Sequence, residues 1–195
     1  HGNPAAVWTY NDAQGRILGH VCRYEPPGDR KQVLPLTYRT DGKWHFRGFD
    51  NPRPLYGLDF LASKPDETVL IVEGEKTAEF CQKQLPKAAV VTWNGGTENV
   101  QNADWTPLYG RKNILLWADN DYTHTYGKTH PNAGQIKPWF EQPGKAAMLK
   151  IAEILRPHVG SISWVESPQD TPCGWDAADK VWNPNEMRTY VVANL

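Results

Sequence analysis

Two rhythms of apolar and polar positions divide the chain. Up to residue 64, short runs alternate apolar with polar residues around glycine-containing turns, the pattern of antiparallel strands. Ala6-Val7-Trp8-Thr9-Tyr10 and 16–24 flank a turn at 11–15, which predicts a hairpin. Runs at 33–39 and 43–49 flank Thr40-Asp41-Gly42 and predict further antiparallel pairing, giving a small four-stranded meander. Pro52, Pro54 and Gly57 close this segment, 55–62 reads as a short helix, and a polar linker follows.

From residue 68 the rhythm changes to strands alternating with helices. Val69-Leu70-Ile71-Val72 is apolar without alternation, as in a parallel strand buried on both faces. It stops at Glu73-Gly74, and 75–85 reads as a helix. Residues 88–93 predict a second strand ending in the turn Asn94-Gly95-Gly96-Thr97, with a helix over 98–105 capped by Thr97. Residues 113–118 predict a third strand, ending in Asp119-Asn120-Asp121. Residues 122–142 show no period and read as a structureless insertion. Pro143-Gly144-Lys145 opens a helix over 146–155, a fourth strand spans 159–165, a last helix begins at 174–179, and 190–195 reads as a short terminal strand. The fold class is therefore α/β: an open, mainly parallel sheet flanked by helices over 65–195, preceded by a small antiparallel β-rich subdomain over 1–64.

Composition narrows the picture. The apolar fraction of 39% with nine Trp suffices for a packed core in 195 residues. There is no run of 18 apolar residues and no recognisable signal peptide, so neither a membrane partner nor export is expected. The three cysteines lie far apart, form no C-x-x-C and fit a reducing cytoplasm. The chain begins at His1 without Met and reads as a fragment of a larger protein. A net charge of -1 is no nucleic-acid footprint for the whole chain, so any such binding needs a local patch. Arg23, Arg39, Lys43, Arg47 and Arg53 interleave with Tyr24, Tyr38, Trp44 and Phe46. Such a face can stack single-stranded nucleic acid, but plain alternation produces the same look, and the ordinary reading is a solvated sheet with core aromatics. His124 and His130, with no partner cysteine, read as loop residues.

The chemistry collects at strand ends. Glu73, the glycine turn 94–97, and Asp119 with Asp121 all fall at the carboxyl edge of one parallel sheet, where open α/β sheets place ligands. Alone, Glu73 is equally a helix cap or a lysine's partner, and D-x-D equally a turn. Together, two or three carboxylates without His or Cys select a hard, oxygen-loving cation, Mg²⁺ or Mn²⁺. That is the usual equipment for phosphoryl chemistry, with Glu73 available as acid or base. Lys76 and Lys145, near helix starts, are candidates to meet phosphates, as are the amides of Gly95 and Gly96; the alternative for the lysines is solvated surface.

These residues carry a family resemblance. Val72-Glu73-Gly74-Glu75-Lys76-Thr77-Ala78, Asn94-Gly95-Gly96-Thr97, and Asp119-Asn120-Asp121 followed after an insertion by Pro143-Gly144-Lys145-Ala146-Ala147 resemble the motifs of a TOPRIM domain. The version is that of phage, plasmid and mitochondrial-type DNA primases and primase-helicases. Gly174-Trp175-Asp176-Ala177-Ala178-Asp179 resembles their later acidic motif. The resemblance spans about residues 55–185. It implies a nucleotidyltransferase that makes RNA primers from ribonucleoside triphosphates on a single-stranded DNA template, with a helicase as partner. Glu73, Asp119 and Asp121 would be catalytic and metal-binding, with Asp176 as a further metal ligand. Residues 1–64 would match the subdomain that contributes a nucleic-acid groove. The insertion at 122–142 departs from the pattern, and neither a zinc ribbon nor a helicase P-loop is present.

Other readings stay open. A TOPRIM nuclease uses the same carboxylates to activate water. A non-catalytic nucleic-acid-binding module keeps the fold without the reaction. Leu115 to Thr123 also fits a haloacid-dehalogenase phosphatase opening, although that motif normally sits on its domain's first strand. A topoisomerase would need a catalytic tyrosine on a separate domain.

Overall fold

In the computed structural model, which describes residues 2–168 and 170–195, two four-stranded sheets pack around a shared core. The first is the antiparallel meander β1 (Ala6–Asn11), β2 (Ile17–Tyr24), β3 (Gln32–Tyr38) and β4 (Trp44–His45), in that order. The β3–β4 pairing is much shorter than the sequence predicts. Two pairs close it, and then Thr37 Oγ1 donates to the Arg47 carbonyl (3.0 Å) as the chain turns away. Phe49 lands against Gly19 and Tyr10 and fills the core instead of extending the strand.

After α1 (Leu58–Ser63) comes the second sheet: β5 (Val69–Val72), β6 (Ala89–Val91), β7 (Asn113–Trp117) and β8 (Ser161–Trp164), all parallel, ordered β6-β5-β7-β8. All four β5 side chains are buried. Val69 and Ile71 face one core with Ile114, Leu116, Met148 and Ile151, whereas Leu70 and Val72 face the other with Ala78, Cys81 and Trp117. Burial of each such side chain is worth roughly 1.5–3 kcal/mol, which is why the strand tolerates no alternation. The first face is covered by α3 (Pro143–Leu155). The second is covered by α2 (Glu75–Gln84), α4 (Pro184–Ala193) and, through Trp8, Tyr10 and Val21, the antiparallel sheet. Gln82 bolts α2 to the sheet edge, accepting from Val90 N and donating to the Ala88 carbonyl, both at 3.0 Å.

Several expectations change. Residues Thr97–Asn102 form a 3-10 helix with Gly96, not Thr97, at its cap. Asn99 donates to the Gly95 carbonyl (2.6 Å), a local bond that competes with α-helix, and Trp105 lies outside the helix. The insertion at 122–142 is an ordered hairpin. Tyr126 N donates to Gln135 O (3.0 Å), Lys137 N to His124 O (2.8 Å), and Thr125 bridges Ile136. Its ladder is too short to leave a period of two in the sequence. The helix expected from 174 is a single 3-10 turn, Ala177–Asp179, inside an Asp176/Asp179 capping box. Asn183 and Pro184 then start α4 afresh as cap and first residue. Residues 190–193 belong to α4 and not to a strand, because Met187 and Val191, one turn apart, fill the core. Among the described residues no helix is long and apolar enough to cross a membrane.

Candidate functional site

The connection from β5 leads outward to β6 on one side, and the chain returns to β7 on the other. The crevice between the carboxyl ends of β5 and β7 is thus the topological switch point of the sheet. Glu73 leaves β5 there and Asp119 leaves β7, and the two meet: the Asp119 amide donates to Glu73 Oε1 at 3.1 Å. Gly74 has φ 74 and ψ 152, backbone that only glycine adopts comfortably, and it turns the strand sharply into α2. Asp121 lies two residues past Asp119 and accepts at Oδ2 from the Gly144 amide (3.1 Å), in the first turn of α3. Gly144 is required by Glu73 itself, since a Cβ there would stand 2.3 Å from Glu73 Oε1 and 3.3 Å from the Asp119 carbonyl. Lys145 follows, 3% exposed, its charge acting on Glu73, Asp119 and Asp121. The insertion does not displace Gly144 and Lys145 from the site, because its hairpin returns the chain to within hydrogen-bond reach of Asp121.

Electrostatic strain marks the crevice. Burial first, opposed by the Asp119 amide and reinforced by the Asp121 charge, pushes the Glu73 carboxyl up to about 7. Burial and then the charges of Glu73, Asp176, Asp121 and Asp179 push Asp119 up to about 9. Burial pushes Lys145 down, against the pull of Glu166, Glu73, Asp121 and Asp119. The crevice holds more negative charge than its one buried lysine balances, and the Asp119 carboxylate accepts no hydrogen bond among the described residues. Such a donor set, all oxygen and mutually repelling, suits a hard divalent cation. Among the described residues no three His, Cys, Asp or Glu side chains close into a cage around one point. Fewer protein ligands than a full cage suit Mg²⁺, a cation that keeps waters and phosphate oxygens in its shell.

The remaining predicted residues fall around this centre. Lys76 Nζ is engaged by Asp179 Oδ1 (2.9 Å) and Asp176 Oδ2 (3.1 Å); burial alone would lower it, but these carboxylates outweigh that and hold it up. Asp176 is correspondingly committed, its Oδ1 accepting from the Ala178 amide at 2.7 Å, although its charge still reaches Asp119. Gly95 (φ 97) and Gly96 (φ 69) form the turn after β6, and Trp93 Nε1 donates to the Gly96 carbonyl at 2.7 Å. Of the sheet aromatics, Tyr24 is buried but Tyr38, Trp44 and Phe46 are 58%, 45% and 54% exposed, so they are not core. Arg23 pairs with Glu25, and Arg39 and Arg47 with Asp50.

Three features escape sequence reasoning. Tyr10 donates to buried Glu75 Oε1 at 2.7 Å, with Asn94 of the glycine turn bonded to both. That network ties β1, α2 and the turn together, and its 65-residue separation leaves no local signal. His124 places Nε2 3.6 Å from Asp121 Oδ1, where the i,i+3 spacing was the only hint. Gln142, 1% exposed, accepts from the His124 amide (3.1 Å) and donates to the Lys137 carbonyl (2.7 Å), clamping the insertion.

Residues 1–120 match the family described as a domain of unknown function, DUF6371. The chain belongs to this family. The match takes in Glu73 and Asp119 and ends just before Asp121, so the insertion and α3 lie beyond it. A search of curated proteins finds no match. Solved structures share the fold. A DNA primase domain from Pseudomonas aeruginosa aligns at TM-score 0.60 with 19% identity, over 96% of this chain and 50% of that one. A DnaG primase catalytic domain bound to single-stranded DNA aligns at 0.59 with 16% identity, over 97% and 51%. The primase domain of bacteriophage T7 gp4, in a complex with lagging-strand DNA polymerase, an RNA/DNA hybrid and dTTP, aligns at 0.51 with 17% identity, over 95% and 76%. The chain thus spans about half the length of the first two. It has the mixed α/β fold of primase catalytic domains.

Proposed function

We propose that this chain is the TOPRIM-type catalytic part of a primase belonging to a phage, plasmid or other mobile element. In this reading it joins ribonucleoside triphosphates into RNA primers on a single-stranded DNA template and works with a helicase. The observation that carries the proposal is the contact between Glu73 and the Asp119 amide at the switch point, with Asp121 held beside them by Gly144. Glu73, Asp119 and Asp121 are the residues to hold Mg²⁺ or Mn²⁺. When bound, such a cation supplies positive charge against the triphosphate oxygens.

The chain's own groups do the rest. Glu73, raised towards neutrality by burial, is suited to exchange a proton with the attacking hydroxyl. Lys145 sets a desolvated cation against the acids and beside incoming phosphate. Lys76 and Asp176 hold the 174–179 loop against α2, so their part is to shape the crevice rather than to meet phosphate or metal. The turn at Gly95 and Gly96 follows β6, the strand beside β5, and its amides are the part of it that would meet phosphate.

Incubating the protein with Mn²⁺, single-stranded DNA and labelled ribonucleotides tests this. Template-dependent oligoribonucleotides are the expected product. Cleaved DNA strands would point to the nuclease instead, and binding with neither product to a non-catalytic module.

A further inference from the structure

We propose that the hairpin at 122–142 is a stacking surface for a single strand of DNA passing the carboxylate crevice. The inference rests on reading that crevice as the site of template-directed synthesis, and it names the surface that would hold the strand.

The hairpin turns its large side chains outward. Tyr122, Ile136, Trp139 and Phe140 are 49%, 63%, 50% and 54% exposed, a concentration of apolar surface that folding of this chain does not cover. The segment is also locally basic in a chain of net charge -1. It carries Lys128 and Lys137 against one acid, Glu141, and Glu141 is taken by the Tyr126 hydroxyl. Exposed aromatics combined with a small excess of lysine over acid are what a nucleic-acid single strand requires, since bases stack on rings and phosphates meet cations. A protein partner would be served by the apolar surface alone; the charge favours a polyanion.

Position adds a second argument. Trp139 and Phe140 lie in a 3-10 turn (Trp139–Glu141) that runs directly into α3, whose next residues include Gly144 and Lys145. Lys145 Nζ sits 5.5 Å over the Trp139 ring, and Trp139 leans on Trp164 at 5.8 Å. The platform is therefore fixed relative to the carboxylates, and the Gln142 clamp stops the hairpin from swinging away. Bases stacked on such a platform would lie beside the crevice without entering it.

Fluorescence anisotropy of a labelled oligothymidylate, at low salt and in EDTA so that metal plays no part, reads this surface alone. Phe140→Ala is expected to weaken binding about 5- to 150-fold, the loss of one stacked base. Lys128→Glu should weaken it as well and flatten its salt dependence. Val181→Ser, at a position 94% exposed outside the hairpin, should bind like the wild type. Unchanged binding in both hairpin variants would overturn the proposal. So would equal affinity for a duplex, or tighter binding of an RNA strand of the same length. If the wild type makes primers while the hairpin variants keep full affinity, this proposal fails and the crevice reading stands. If the variants lose binding while the wild type makes no primers, the crevice reading fails instead.

Discussion

Gly144→Ala separates the site from the fold more sharply than any change to an acid. The new Cβ would stand 2.3 Å from Glu73 Oε1, well inside van der Waals contact, and 3.3 Å from the Asp119 carbonyl. Backbone on α3 cannot retreat, since its next turns are locked by Ala147, Met148 and Ile151. The flexible end of Glu73 must turn away and release the Asp119 amide. Losing that charged hydrogen bond costs about 1.5–3 kcal/mol. Moving the carboxylate towards water recovers desolvation, and alanine favours the helix by at most ~1 kcal/mol. The net change in stability should therefore lie within about 1–2 kcal/mol. Catalysis should fall about 10²- to 10⁴-fold if Glu73 must be in place for proton transfer. Urea unfolding in EDTA gives the first quantity. Primer synthesis, together with the rise in melting temperature on adding Mg²⁺, gives the second. Gly48→Ala, with nothing within 4 Å of its Cβ and lying outside both the crevice and the hairpin, is the control. Activity and Mg²⁺ response equal to the control would refute the placement of Glu73, and a collapsed fold would refute the packing argument.

Other predictions concern stability. Glu73 binds its proton more tightly folded than unfolded, so without metal the protein should lose stability as pH rises from about 4.5 through about 7. Glu73→Gln should remove its own share of that loss, about 3 kcal/mol at pH 8, and leave the larger share of Asp119, whose carboxyl is pushed up to about 9; urea unfolding across pH measures it, and an unchanged pH profile would contradict it. Tyr10→Phe leaves buried Glu75 short of a donor and should cost about 1–3 kcal/mol without changing the Mg²⁺ response. Gln142→Ala should leave melting nearly unchanged but speed amide exchange in residues 124–137, since the clamp serves only the hairpin.

Much of this site was legible because it is local. The unbroken apolar run at 69–72 reports a strand buried on both faces, and Glu73 and Asp119 then fall at strand ends by position alone. What was hidden depends on contacts between distant segments or on competition within a segment. Nothing near Gly144 says that a carboxylate 71 residues earlier fills the space of its side chain. The insertion looked structureless because one bridge and a buried glutamine hold it, and neither leaves a period. The ion pairs of Lys76 were hidden because Asp176 and Asp179, its partners, lie 100 and 103 residues on. The final strand was misread because Tyr190-Val191-Val192 has strand propensity, whereas the spacing of Met187 and Val191 decides for helix.

The central claim is that the crevice between β5 and β7 is a metal-dependent nucleotidyl-transfer site. Its most direct test is incorporation of labelled ribonucleotide on a single-stranded template, titrated with Mg²⁺, in the wild type, Glu73→Gln and Asp119→Asn. The account predicts Mg²⁺-dependent incorporation by the wild type and its loss in both variants, with folding intact. Incorporation by either variant at the wild-type rate and Mg²⁺ dependence would contradict it.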